Sequence, residues 1–372
     1  MKTKNNSYIA YFILLLFVCY GCETKNNEDI IEIQYANMKL DTLSVKDFVD
    51  DVEIVPLETK AECLINRVGK LIATQKGFLI INYGAKDGIF MFAEDGSFVK
   101  QIGRMGHGKG EYTFVLDACA NKTSDTIVVS TPDGVSMYDY AGNFRLKKNV
   151  IENAYVKQVA MTPAGLLCAT HFSGSEYQLH LCDKNLNIIQ SMIPTNNTII
   201  ALPYASGNSI RGWGNRICYL DYYHSVLYMF DLSDIDNTMK TYKFIGQDIR
   251  NYEKNNAEDE DFVELNNFLI DGDCISGSVI DKNGDKVYCR IDTKSNETVT
   301  YVYDDWMPEI YFVDDNYYYT ILPQNIFLDI VHKQMFNFTY IQDLILKKYN
   351  SNLDINEMSN HVILKLKKHE SH

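Results

Sequence analysis

Proline is scarce in this chain, with seven in 372 residues, and tryptophan is scarcer, with two. So little proline argues against a polyproline or linker-rich protein and leaves room for regular strands. Basic residues are outnumbered, 35 Lys and Arg against 49 Asp and Glu, for a formal charge of −14. A surface of that sign repels phosphate backbones, so no nucleic-acid partner is expected. Beyond Cys19 and Cys22 at the end of the N-terminal apolar run, no C-x-x-C pair occurs among the other seven cysteines, Cys63 to Cys289, which removes the usual zinc and dithiol frameworks. Most cysteines fall inside apolar runs such as "GLLCAT", "RICYLDYY" and "VYCRID", where they read as small buried hydrophobes. There is no G-x-S-x-G and no H-E-x-x-H, so no catalytic motif is recognised. The apolar run from Tyr8 to Tyr20 is too short for an ordinary transmembrane helix.

That run does suit export. Lys2 and Lys4 precede it, and it ends in Gly21-Cys22, a small residue followed by the cysteine at which lipoprotein leaders are cut and acylated. Residues 1–21 are therefore expected to be a signal peptide and Cys22 the lipid anchor, the only link to the membrane. Residues 22–51 are read as a tether and N-terminal segment, and 52–368 as the folded domain. Loss of Lys2 and Lys4 with the leader takes the formal charge from −14 to −16.

What the sequence has in abundance is aromatic strand-formers, 26 tyrosines and 18 phenylalanines. It also repeats. "GIFMFAEDGSF" from Gly88 matches "GVSMYDYAGNF" from Gly134 at an offset of 46, aligning Gly88, Met91, Gly96 and Phe98 with Gly134, Met137, Gly142 and Phe144. Asp183 follows Asp139 by 44 residues, Asp231 follows Asp183 by 48, and Asp292 follows Asp231 by 61, the excess lying in the polar stretch "NYEKNNAEDEDF". Each unit is a strand, a tight turn and a return strand, preceded by another apolar strand. A period of about 40–50 residues carrying about four short strands is a propeller signature. Blades are expected near 52–102, 103–149, 150–194, 195–249 and 262–303, with a sixth between 311 and 367. "FTYIQDLILKKYNSN" alone has helical spacing. The ring is expected to close by pairing "VEIVPLE" at 52–58 with "NHVILKLKK" at 360–368, because an open ring would keep two unpaired edges.

On "VEIVPLET", "IGRMGHGKGEY", "MYDYAGNF" and the closing "NHVILKLKK", the chain resembles the six-bladed β-propeller family of bacterial, Bacteroides-type envelope lipoproteins with NHL-like repeats. The resemblance implies an all-β ring of four-stranded antiparallel blades in the cell envelope, lipid-anchored, at the outer membrane and facing the periplasm or the surface. It says little about chemistry, since propellers host unrelated functions.

"IGRMGHGKGEY" at 102–112 comes close to a phosphate-binding P-loop, but Gly110 stands where the Ser or Thr belongs and "EYTFVLDAC" continues as a strand. Its glycines suit a crossing between blades, and in NHL-like propellers the corresponding segment lies near one rim. Arg104, His107, Lys109 and Glu111 are therefore candidate rim or channel contacts, together with His171 and His224 at strand ends. "DKNGDKVYCRID" spaces Asp281, Asn283 and Asp285 as a calcium loop does, yet Asn283-Gly284 between strands is a hairpin signal. Trp213, Tyr222, Tyr223 and Tyr317 lie on the outward parity of their strands and could stack on sugars or peptides. No cofactor, metal or catalytic residue is expected. The expected function is a binding module for an envelope protein, peptide or glycan. The alternative is a metal-supported hydrolase or lyase, with the scattered histidines converging at the channel mouth.

Overall fold

The computed structural model describes residues 29–34, 40–84, 87–120, 124–152, 154–170, 174–195, 209–221, 226–245, 264–280, 286–332, 340–349 and 359–369. Its strands form six sheets. From the inside outward, blade 1 is Arg67–Thr74, Gly77–Tyr83, Gly88–Phe92 and Phe98–Ile102. Blade 2 is Asp117–Ala120, Ile127–Thr131, Gly134–Tyr138 and Phe144–Lys148, and blade 3 is Gln158–Thr162, Gly165–Ala169, Tyr177–Cys182 and Ile188–Pro194. Blade 4 is Ile210–Trp213, Arg216–Asp221, Val226–Asp231 and Lys240–Ile245, and blade 5 is Glu264–Asp271, Cys274–Ile280, Lys286–Asp292 and Thr298–Tyr303. Blade 6 joins Phe312–Val313, Tyr317–Leu322 and Val362–Lys368 to Val49–Pro56. The innermost strands touch in order around the ring, and Phe312–Val313 returns to Arg67–Thr74. The fold is a six-bladed β-propeller.

Closure follows the expected pairing: Val362 faces Pro56 and Lys367 faces Asp51 across an antiparallel ladder. Residues 52–56 thus complete blade 6 rather than opening blade 1, which starts at Arg67. The N-terminal segment does more than tether. Asp29–Gln34 adds a parallel fifth strand to the outer edge of blade 4, and Leu40–Leu43 adds one to blade 5. Asp29–Gln34, Leu40–Leu43 and Val49–Pro56 therefore lie along the outside of three successive blades, covering edges that would otherwise offer unpaired backbone groups.

The repeat has a local cause. In blades 2 to 5 the aspartates that recur in the sequence stand at the turn before the outermost strand. Asp139, Asp183, Asp231 and Asp292 each accept a backbone N–H from the turn, from Asn143, Asn187, Ser233 and Ser295, all at 2.8 Å. Such side-chain closure of a turn mimics a backbone turn, and these bonds hold all four carboxyls below the usual range. Three residues past the start of the turn the backbone is left-handed, at Gly96 (φ +86°) and Gly142 (φ +80°). Blade 3 places Leu186 there at φ +60°, buried in the interface with blade 2, which explains why the glycine signal fades in that blade.

Apolar clusters join blade 6 to 1, 1 to 2, 2 to 3, 3 to 4 and 4 to 5. Between blades 5 and 6 the filling differs. There the helices Gln324–Val331 and Tyr340–Lys348 bury Phe327, Leu328, Ile330, Ile341, Leu344 and Ile345 against Val49, Val52, Leu364 and Leu366 of blade 6. The second of these is the stretch whose spacing predicted a helix. Its Lys348 pairs with Asp51 at 2.7 Å, tying it to the closing strand.

Candidate functional site

The loop at 103–116 runs from the outermost strand of blade 1 to the innermost strand of blade 2, the crossing its glycines suggested. Gly103, Gly106 and Gly110 have φ of +63°, +155° and +76°. Glu111 knits the loop together: it accepts from Gly108 N–H at 2.7 Å and Arg104 Nε at 2.5 Å, and these bonds lower its pKa. Lys109 lies over the ring of Phe144, in the outermost strand of blade 2, with His107 exposed beside it. Lys109 thus lies against the outermost strand of blade 2, on the same loop as Arg104, His107 and Glu111. His171 and His224 lie outside the described residues, as do Tyr222, Tyr223 and Cys22. The calcium-like stretch 281–285 also does, and the strands flanking it pair as a hairpin from Ile280 and Lys286.

A Cβ on Gly103 would meet the Tyr112 ring at 2.6 Å. Gly103→Val is therefore expected to cost more than about 1 kcal/mol of stability, the scale of a strained left-handed residue, while Lys109→Ala changes it little. Magnesium-ATP should leave both the wild-type and the Lys109→Ala melting temperatures unmoved. A rise in the wild type that vanishes in the variant would restore the phosphate-loop reading.

Toward the axis, polar side chains act as clamps between blades. Asp117 of blade 2 accepts from Lys70 Nζ of blade 1 at 2.9 and 3.1 Å, and from the Val159 N–H of blade 3 at 2.9 Å. Gln158 accepts from the Ser209 N–H of blade 4, and Asn360 from the Ile65 N–H ahead of blade 1. His180 is buried between Ser175 and Ser191. Burial also holds the His361 imidazole down to about 4, so it is neutral at physiological pH. Among the described residues, no three His, Cys, Asp or Glu side chains are grouped to hold a metal.

Among the described residues, a concave feature with polar and aromatic side chains lies between blades 5 and 6. Its empty space is about 750 Å³, counting the part open to solvent. Strand alternation builds it: Cys289 and Ile291 point into the core shared with blade 4, so Tyr288 and Arg290 point the other way, beside Ser276 and Ser278 and, on the next strand, Tyr301 and Tyr303. Opposite them stand Met307, Glu309, Ile310 and Tyr318. The rings of Tyr288 and Tyr301 stack at 5.6 Å, and Tyr303 meets Tyr288 edge-on at 4.7 Å. Desolvation raises the pKa of all four tyrosines, Tyr301 to about 12, so their hydroxyls stay protonated. At one end Asp271 accepts from Tyr318 at 3.1 Å and from Lys368 at 2.5 Å, and Lys368 also lies over Trp213. Trp213 and Tyr317 both lie beneath lysines, the latter under Lys365 at 4.4 Å.

Sequence reasoning passed over Tyr288, Arg290, Tyr301 and Tyr303. The signal was present in "VYCRID" and "VTYVYDD", where tyrosine and arginine recur at every second position opposite aliphatic or cysteine residues. Alternation alone does not say which face meets an aliphatic neighbour.

No curated protein matches the chain in sequence. Its fold is similar to that of a putative exported protein (BF0058) from Bacteroides fragilis NCTC 9343, with a TM-score of 0.66 and 16% identity over 92% of this chain and 100% of that one. It is also similar to a member of the duf4221 family from Bacteroides vulgatus ATCC 8482, with a TM-score of 0.51 and 10% identity over 86% of this chain and 99% of that one. At such identities the likeness is one of fold. A family model covers nearly all of the propeller, residues 28–367, and the chain belongs to that family, the Domain of unknown function (DUF4934).

Proposed function

We propose that this chain is an extracytoplasmic binding module, a propeller held in the cell envelope by lipid on Cys22, which takes part of a protein, peptide or glycan into the cleft between blades 5 and 6. The cleft face carries the proposal. Beside the apolar cluster that fills this interblade position, one strand face of blade 5 turns tyrosines, serines and a guanidinium toward an opening. The leader, the Gly21-Cys22 junction and the fold shared with an exported protein support the location.

Two measurements test it. Cys22→Ser should release the protein into the soluble envelope fraction, and unchanged membrane retention would remove the anchor. Capture of envelope components by the solubilised full chain should fall in Tyr288→Ala, a change at the cleft wall. Capture that is indifferent to Tyr288 would move the binding surface elsewhere.

A further inference from the structure

We infer that the outer edge of blades 3 to 5 rests on a zwitterionic phospholipid surface, with Ile189, Ile30 and Leu40 set into the headgroup region; this depends on the reading of Cys22 as the lipid anchor. Among the described residues these are the three most exposed large apolar side chains, at 59, 55 and 51%. Single exposed hydrophobics are ordinary on a protein surface. These three lie on one arc. Ile189 is in the outermost strand of blade 3, Ile30 in the strand added to blade 4 and Leu40 in the strand added to blade 5. They also lie toward one face of the ring. The added strands run parallel to the outermost strands beside them, Asp29 facing Lys240 and Leu40 facing Thr300, so all three residues stand near the ends that follow the outer turns. Ile188, next to Ile189 and 41% exposed, extends the arc.

The tether enters at the middle of this arc. Cys22 stands seven residues before Asp29, and a chain of that length spans at most about 25 Å. A bilayer that holds an acyl chain on Cys22 is therefore kept within reach of Ile30, and apolar side chains beside it meet the lipid at a high effective concentration. The opposite side of the ring is built differently. The outermost strands of blades 1 and 2 read FVKQI and FRLKK, whereas that of blade 3 reads IIQSMIP and carries no charge. Basic residues on an exposed edge keep it in water. The charge of the chain selects the lipid. Glu32 is exposed in the same added strand as Ile30, and the formal charge is −14, so anionic headgroups would repel this edge and zwitterionic ones would not.

The test places single tryptophans on the full acylated chain in vesicles of phosphatidylcholine and phosphatidylethanolamine with brominated acyl chains, which quench indole emission from within the bilayer. Emission added by Ile189→Trp, Ile30→Trp or Leu40→Trp, above that of Trp213 and Trp306, should fall by about half or more, as for side chains at the boundary of headgroup and acyl chain. Val99→Trp, also second in an outermost strand but on blade 1, across the ring from blade 4, should keep its emission. Melting temperatures should match the wild type, since none of these side chains is buried. Ile30→Glu combined with Ile189→Glu should bring the Leu40→Trp signal to the level of Val99→Trp while the chain stays on the vesicles. Equal quenching at all four positions, or at none with the chain still on the vesicles, would overturn the contact and leave the anchor standing. Quenching at residue 40 untouched by the double change would overturn the role of the isoleucines, and stronger quenching on phosphatidylglycerol would overturn the choice of lipid. The anchor fails separately: a chain that does not float with the vesicles removes it, and with it the contact.

Discussion

A chain cut after Asn350 is expected not to fold at all. The missing strand, Val362–Lys368, lies inside blade 6, paired on one side with Tyr317–Leu322 and on the other with Val49–Pro56. Its Val362, Ile363, Leu364 and Leu366 are fully buried and alternate between two cores, Ile363 facing blade 1 and the others facing the helices. At about 1.5–3 kcal/mol for each buried aliphatic side chain, the loss is about 6–12 kcal/mol, comparable to the whole stability of a typical domain. The cut also opens the ring, so the damage is not confined to one blade. Far-ultraviolet circular dichroism and limited proteolysis would read the outcome. A truncated protein that melts cooperatively near the intact temperature would show that the ring does not depend on this closure.

The second large effect is expected at Asp117. Its carboxylate is 4% exposed and holds the innermost strands of three consecutive blades, through Lys70 on one side and the Val159 N–H on the other. Replacing it by alanine leaves a lysine ammonium and a backbone donor in the interior without their acceptor. Breaking a buried ion pair from one side costs about 3–5 kcal/mol, and the orphaned N–H adds about 1–3 kcal/mol. Asp117→Asn, which can keep the bond to Val159, should recover part of the loss. Lys70→Met combined with Asp117→Leu should recover more, because neither charge is then stranded. Urea denaturation of the variants measures this directly, and an Asp117→Ala midpoint indistinguishable from wild type would show that the clamp is idle.

Much of the ring was legible in the sequence because its signals are local. Asp139, Asp183, Asp231 and Asp292 recur since every outer turn they begin needs its backbone donors satisfied within a few residues. The closing strands showed through alternation and through the need to hide two edges. The added strands Asp29–Gln34 and Leu40–Leu43 did not show, because what makes them strands is an edge some 200 or more residues away, Lys240–Ile245 and Thr298–Tyr303. Asp117 is one acid among 49 until the fold brings Lys70 and Val159 to it. The cleft was hidden for a related reason. Tyr288, Arg290 and Tyr301 alternate as any strand does, and only the fold brings Met307–Ile310 and Tyr318 opposite them so that their face meets an opening.

The belt formed by Asp29–Gln34, Leu40–Leu43 and Val49–Pro56 has a mechanical meaning. A pull on the N-terminus acts first on a strand lying parallel to its neighbour, so Asp29–Gln34 and Lys240–Ile245 are sheared along six facing residue pairs instead of being peeled apart one at a time. Behind it come Leu40–Leu43 on blade 5 and then the closing strand on blade 6. Tension entering at that end is thus shared among three sheets in succession. Load would have to strip two outer strands before it reached the joint on which the ring depends, and the cleft between blades 5 and 6 lies under the second and third of these attachments, where strain on the chain would be felt as a change in the spacing of its walls.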